Sequence, residues 1–140
     1  MKNCIIICCM SLVLSLASCT DFGSADACEN SECYSTYPTA GTMTVKVTID
    51  ELNSFVPVRI YAGRYDVGQF IRLDTLYDKR EKFVLDPGEY YSVAATYQTE
   101  NGEVVVVDGG KIDILTNNCD SFSCYTVTDV TVNCKLKYDH

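Results

Sequence analysis

The chain has 140 residues, 47% of them hydrophobic, and carries 19 acidic against 11 basic side chains, for a formal net charge of −8. That length is too short for two full domains but long enough for one buried core, and the acidic balance argues against a nucleic-acid partner, which needs clustered Lys and Arg to neutralise phosphate. The only histidine, His140, is the last residue, so a Ser-His or Cys-His nucleophile lacks its base.

The first element is a leader. A short basic start, Met1-Lys2-Asn3, precedes an apolar run from Cys4 to Leu16, and a permanent membrane helix needs about 20 apolar residues. Residues 1–18 therefore read as a cleaved signal peptide. The stretch Leu16-Ala17-Ser18-Cys19 resembles the lipobox of bacterial lipoproteins. That resemblance implies that Cys19 becomes the new N-terminus and carries palmitate-type acyl chains, each held in the bilayer at about 0.8 kcal/mol per buried methylene. Plain secretion is the alternative. Thr20 follows Cys19, and the acids Asp21, Asp26, Glu29 and Glu32 are scattered. By resemblance to lipoproteins of Bacteroides-type bacteria, this points to the outer membrane, on its surface or its periplasmic side.

Residues 19–41 read as a flexible acidic tether with no packed element. Beyond the acylated Cys19, the exported part keeps Cys28, Cys33, Cys119, Cys124 and Cys134. An oxidising compartment favours disulfides among the first four, with all three pairings open; the alternative is a four-thiolate zinc site. No metal or other cofactor is expected. Cys134 reads as a buried free thiol.

From Thr42 the pattern changes to period-two alternation, the mark of half-buried strands. Met43, Val45, Val47 and Ile49 share one face, and Val56, Val58, Ile60 and Ala62 form the next inward row. Gly63 to Gly68 is a loop. Ile71 and Leu73 are expected inward, with Arg72 and Asp74 outward. Asp78 to Lys82 reads as a solvated turn. Phe83 and Leu85 return to the core before the turn Asp86-Pro87-Gly88. Tyr91, Val93, Ala95 and Tyr97 line one face. Asn101-Gly102 and Asp108-Gly109-Gly110 are expected turns around Val104 to Val107, a run that suggests a central strand covered on both sides. Ile112 and Ile114 face inward, Asn117 to Cys124 is a polar loop, and Val130, Val132, Cys134, Leu136 and Tyr138 form a final inward row. The expectation is an all-β domain over residues 42–140: a single antiparallel β-sandwich of seven or eight strands.

The run Leu85-Asp86-Pro87-Gly88-Glu89-Tyr90-Tyr91-Ser92-Val93 resembles the turn-and-strand signature of prealbumin-like (carboxypeptidase-regulatory-like) sandwiches, shifted by one residue. A bulge near Glu89 absorbs the shift. The wider layout resembles small uncharacterised lipoproteins of Bacteroides-type bacteria. That resemblance names no activity; the function expected from the chain as a whole is a non-enzymatic binding or structural module of the cell envelope, acting through protein contacts at a strand edge or loop tip. The alternatives are a pilus-type adhesion subunit and a glycan-binding accessory lipoprotein. For the latter the candidate ligand-binding aromatics are Tyr61 and Tyr90, which alternation turns outward, and Tyr65, which lies in a loop.

Overall fold

The computed structural model describes residues 33–119 and 122–137. The leader, Cys19, Cys28, Tyr138 and His140 lie outside the described residues. The described chain is all β, with nine strands and no helix: β1 Gly41–Lys46, β2 Val56–Ala62, β3 Gln69–Leu76, β4 Arg80–Leu85, β5 Tyr90–Thr99, β6 Gly102–Lys111, β7 Asp113–Cys119, β8 Phe122–Thr128 and β9 Val130–Asn133. Two sheets, ordered β3-β2-β5-β6 and β4-β1-β9, bury one common core; β7 and β8 form a separate hairpin. This arrangement is consistent with a β-sandwich.

Alternation places the core. Met43, Val45 and Val47 from the β1 side meet Val58, Ile60, Val93 and Tyr97 of the opposing sheet, and all of them are fully buried. Each such aliphatic side chain contributes about 1.5–3 kcal/mol by leaving water. Tyr97 ties the layers together by polar contacts as well. Its hydroxyl accepts the Thr48 N–H at 3.1 Å and donates to the Cys134 carbonyl at 2.6 Å, and burial raises its pKa. Cys134 is the buried free thiol that its phase in the last strand implies, and burial pushes it up to about 12.

The Tyr91 phase also holds, through a bulge. The Gly88 N–H donates to the Ile112 carbonyl at 2.6 Å while the Ile112 N–H donates to Glu89 at 3.1 Å. Two residues thus oppose one, with Gly88 at φ +89°, the geometry of a glycine bulge.

Several expectations fail, each for a tertiary reason. In β3 the phase is reversed. Arg72 and Asp74 pair with the inward residues Ile60 and Val58, whereas Leu73 pairs with outward Arg59. Ile71 is the extra residue of a bulge opposite Ile60/Tyr61, so Ile71 and Leu73 are exposed. Charge is tolerated on the core side because β3 is an edge strand. There the Arg72 guanidinium lies 5.0 Å above the Phe83 ring and bonds Asp74, which holds that carboxyl below its usual pKa.

The four valines do not form a covered central strand. β6 is the sheet edge, Val104, Val105 and Val107 are exposed, and the small-residue strand β5 is the one buried on both faces. Asp108-Gly109-Gly110 is not a turn but part of β6. A side chain on Gly109 would meet Tyr91 O at 2.6 Å, and one on Gly110 would overlap a Val130 methyl, so these glycines mark close approach. Arg80, Glu81 and Lys82, expected in a turn, pair with β1.

Asn117 to Cys124 is not a loop, since β7 and β8 pair from Asp113↔Thr128 to Cys119↔Phe122. The sheets are not wholly antiparallel: β9 runs parallel to β1. Asp129, between β8 and β9, accepts the Thr42 N–H at 3.0 Å, so the returning chain starts beside the start of β1 and follows its direction.

The tether is not free over its whole length either. Cys33 is bonded to Cys124 across 91 residues, Tyr34 and Tyr125 exchange two backbone hydrogen bonds at 3.0 Å, and the Tyr37 ring meets the Tyr125 ring at 5.4 Å. Of the three open pairings, this bond excludes the local one, Cys28–Cys33 with Cys119–Cys124, and the one that joins Cys33 to Cys119.

Candidate functional site: an aromatic face on the four-stranded sheet

The outer face of the β3-β2-β5-β6 sheet gathers four aromatic residues that the core does not use: Tyr61, Tyr65, Phe70 and Tyr90. Register sets the row. Tyr61 of β2 lies opposite Ser92 of β5 on one side and Phe70 of β3 on the other. The Tyr61 ring meets Tyr65 at 5.3 Å and Phe70 at 5.8 Å, both edge to face. Tyr90, two residues before Ser92 and therefore on the same face, shares a shallow cavity of about 370 Å³ with Tyr65, Ser92, Val107 and Gly109. The three tyrosines singled out by alternation and loop position thus lie on one surface.

Local chemistry holds this arrangement in place. Gly63 opens the loop that carries Tyr65 at φ +90°, a conformation suited to glycine. Its N–H donates to the Tyr90 carbonyl at 2.7 Å, and its own carbonyl accepts the Ser92 hydroxyl at 2.7 Å. The loop is closed by the Val67 N–H donating to Arg64 at 3.1 Å. The first residue of the loop is therefore pinned to β5, and Tyr65 lines one cavity with Tyr90 and Ser92 of that strand. Opposite, a Cβ on Gly109 would come within 2.7 Å of the Tyr90 hydroxyl, so the bare glycine is what lets the Tyr90 ring lie across β6. Arg64 and Asp66 face one another at 3.5 Å on the rim, both largely solvated, a contact of little energetic weight.

Tyr65 is 44% exposed, Phe70 52% and Tyr90 40%, so their rings are available to a ligand while Tyr61 is half-buried between them. Such a surface offers apolar ring faces for stacking and phenolic hydroxyls for hydrogen bonds. The cavity lies within the range of small-molecule sites, about 300–1,000 Å³. A larger one, about 490 Å³ between Tyr34, Gly41, Val84 and Asp129 at the foot of the tether, has a single aromatic ring on its wall.

Phe70 is the member that sequence reasoning does not single out. Its place beside Tyr61 is set by the loop from Gly63 to Gly68, which pairs Ala62 with Gln69 and Tyr61 with Phe70 before the Ile71 bulge is reached. The cysteine candidates lie elsewhere: Cys33 and Cys124 are consumed by their bond, and Cys119 belongs to β7. Among the described residues no group of three or more His, Cys, Asp or Glu side chains is placed to hold a metal ion.

Fold and site together define an all-β domain with a solvent-facing aromatic surface. No protein-family model matches the chain, and neither a curated protein nor a solved structure matches it at a significant level.

Proposed function

We propose that the chain is a lipid-anchored outer-membrane lipoprotein, held through Cys19, whose folded domain is a non-enzymatic binding module of the cell envelope that takes a glycan on its aromatic face. The observation that carries this reading is the gathering of Tyr61, Tyr65, Phe70 and Tyr90 on one exposed sheet face. Sugar rings present apolar C–H faces that stack on aromatic rings, and hydroxyls that phenols and backbone groups can bond. The test is affinity electrophoresis of the protein through gels containing envelope and plant polysaccharides. Retardation by at least one of them should disappear in the Tyr61→Ala/Tyr65→Ala/Tyr90→Ala variant while the fold persists; equal mobility of the two proteins in every gel removes the reading.

A second reading, a protein partner at a strand edge, rests on β3. It ends its sheet with Phe70, Ile71 and Leu73 exposed, and an apolar edge is a template for an added strand. Its test is co-purification of a defined envelope protein that is lost in Ile71→Lys/Leu73→Lys.

A further inference from the structure

Building on the glycan reading, we infer that the aromatic face takes the interior of a linear polysaccharide, laid across the strands, rather than a terminal sugar. The aromatic residues cross three strands in a staggered row: Phe70 and Tyr61 are directly opposite, and Tyr90 lies two residues along β5 from Ser92, the residue opposite Tyr61. Tyr90 sits on β5, Tyr61 on β2 and Phe70 on β3, with Tyr61 directly opposite both Ser92 and Phe70 in register. Neighbouring strands are spaced by about 4.8 Å, comparable to the length of one sugar in an extended chain. An extended chain running obliquely across the strands can therefore meet Phe70, Tyr61 and Tyr90 in turn.

The row is open at both ends. β3 and β6 are the two edges of this sheet. At the β6 end the surface falls to Gly109, which has no side chain, and to exposed Val107. At the other end Phe70, on the edge strand β3, is 52% exposed. A site for a chain terminus needs a wall that ends the ligand and polar groups that count its last hydroxyls. Of the charged groups near the row, Arg64 faces Asp66 at 3.5 Å, Lys111, opposite Tyr90, bonds Asp113 at 2.6 Å, and exposed Arg59, two residues from Tyr61 on the inner strand β2, stands at the side of the row and not at its end. The middle of the row is polar only through its phenols and through Ser92, whose hydroxyl is spent on Gly63. Stacking without end-counting is the recognition mode of a chain interior.

The experiment uses the full chain and size ladders, monosaccharide to octasaccharide, of xylan, mannan, α-glucan and polygalacturonate, read by calorimetry. Affinity for the bound ladder should rise about tenfold or more between mono- and trisaccharide and then level off. Phe70→Ala, at the end of the row, should lower affinity for the longer members while leaving disaccharide binding within about twofold, whereas Tyr65→Ala should weaken every length. A ladder bound equally well at every length, the monosaccharide included, overturns the interior-chain inference and leaves the glycan reading standing. A protein that binds no member of any ladder overturns both.

Discussion

At the residue scale, the buried hydroxyl of Tyr97 joins three segments far apart in sequence. Tyr97→Phe keeps the ring but leaves the Thr48 N–H and the Cys134 carbonyl without their partner. Orphaning such groups costs about 1–3 kcal/mol, so the urea midpoint should fall by that equivalent with an unchanged m-value. Cys134 supplies a pH prediction. Burial raises its thiol from the ordinary 9.0 to about 12. Between those values the unfolded chain ionises while the native one keeps its proton, so stability falls as pH rises, by up to about 1.4 kcal/mol per pH unit. Below pH 9 the thiol is neutral in both states and contributes no slope. Tyr97, also raised by burial, acts in the same direction. Denaturation curves of wild type and Cys134→Ala between pH 8 and 11 check this: the variant starts less stable at pH 8 because a buried group is lost, and the gap should narrow toward pH 11 because only the wild type carries the thiol's alkaline loss. Ser92 matters to the site rather than to the core. Ser92→Ala frees the Gly63 carbonyl and loosens the Tyr65 loop, so glycan affinity should drop severalfold while Ser92→Thr retains it.

At the scale of elements, the Cys33–Cys124 bond turns the last part of the tether into an added segment along β8. It closes a loop across 91 residues, for which the chain-entropy model gives about 4–5 kcal/mol. Cys33→Ser/Cys124→Ala should lower the melting temperature of the oxidised protein by several degrees, and the gap should close when both proteins are melted in excess dithiothreitol. Strands differ in how much of themselves the sequence discloses. β1, β2 and β5 follow alternation because one face meets the core along their whole length. β3 and β6 do not, because an edge strand answers to its single neighbour and to whatever sits past the sheet's end. Hence Val105→Thr on β6 should change stability by less than about 0.5 kcal/mol, whereas Val93→Ala on β5, at a position with no exposed surface, should cost about 1.5–3 kcal/mol. Paired urea titrations separate the two.

At the scale of the whole molecule, the anchored-lipoprotein proposal makes Cys19 the point on which location depends. Cys19→Ala should move the protein out of the membrane fraction and abolish incorporation of labelled palmitate; a membrane-bound, unlabelled Cys19→Ala protein would count against the proposal. What the sequence by itself determined is the all-β class, most of the inward rows, the glycine bulge after Pro87, the buried thiol and the outward-facing tyrosines. These follow from local rules, since side chains alternate along a strand and glycine is needed where φ turns positive. What only the tertiary structure decided is which strand lies at an edge, that β9 runs parallel to β1, which cysteine Cys33 joins, and that Phe70 stands beside Tyr61. Those features depend on contacts between residues distant in sequence, and one inserted residue such as Ile71 reverses the faces of everything after it. Alternation could show that tyrosines face solvent; only the order and register of the strands could put them side by side.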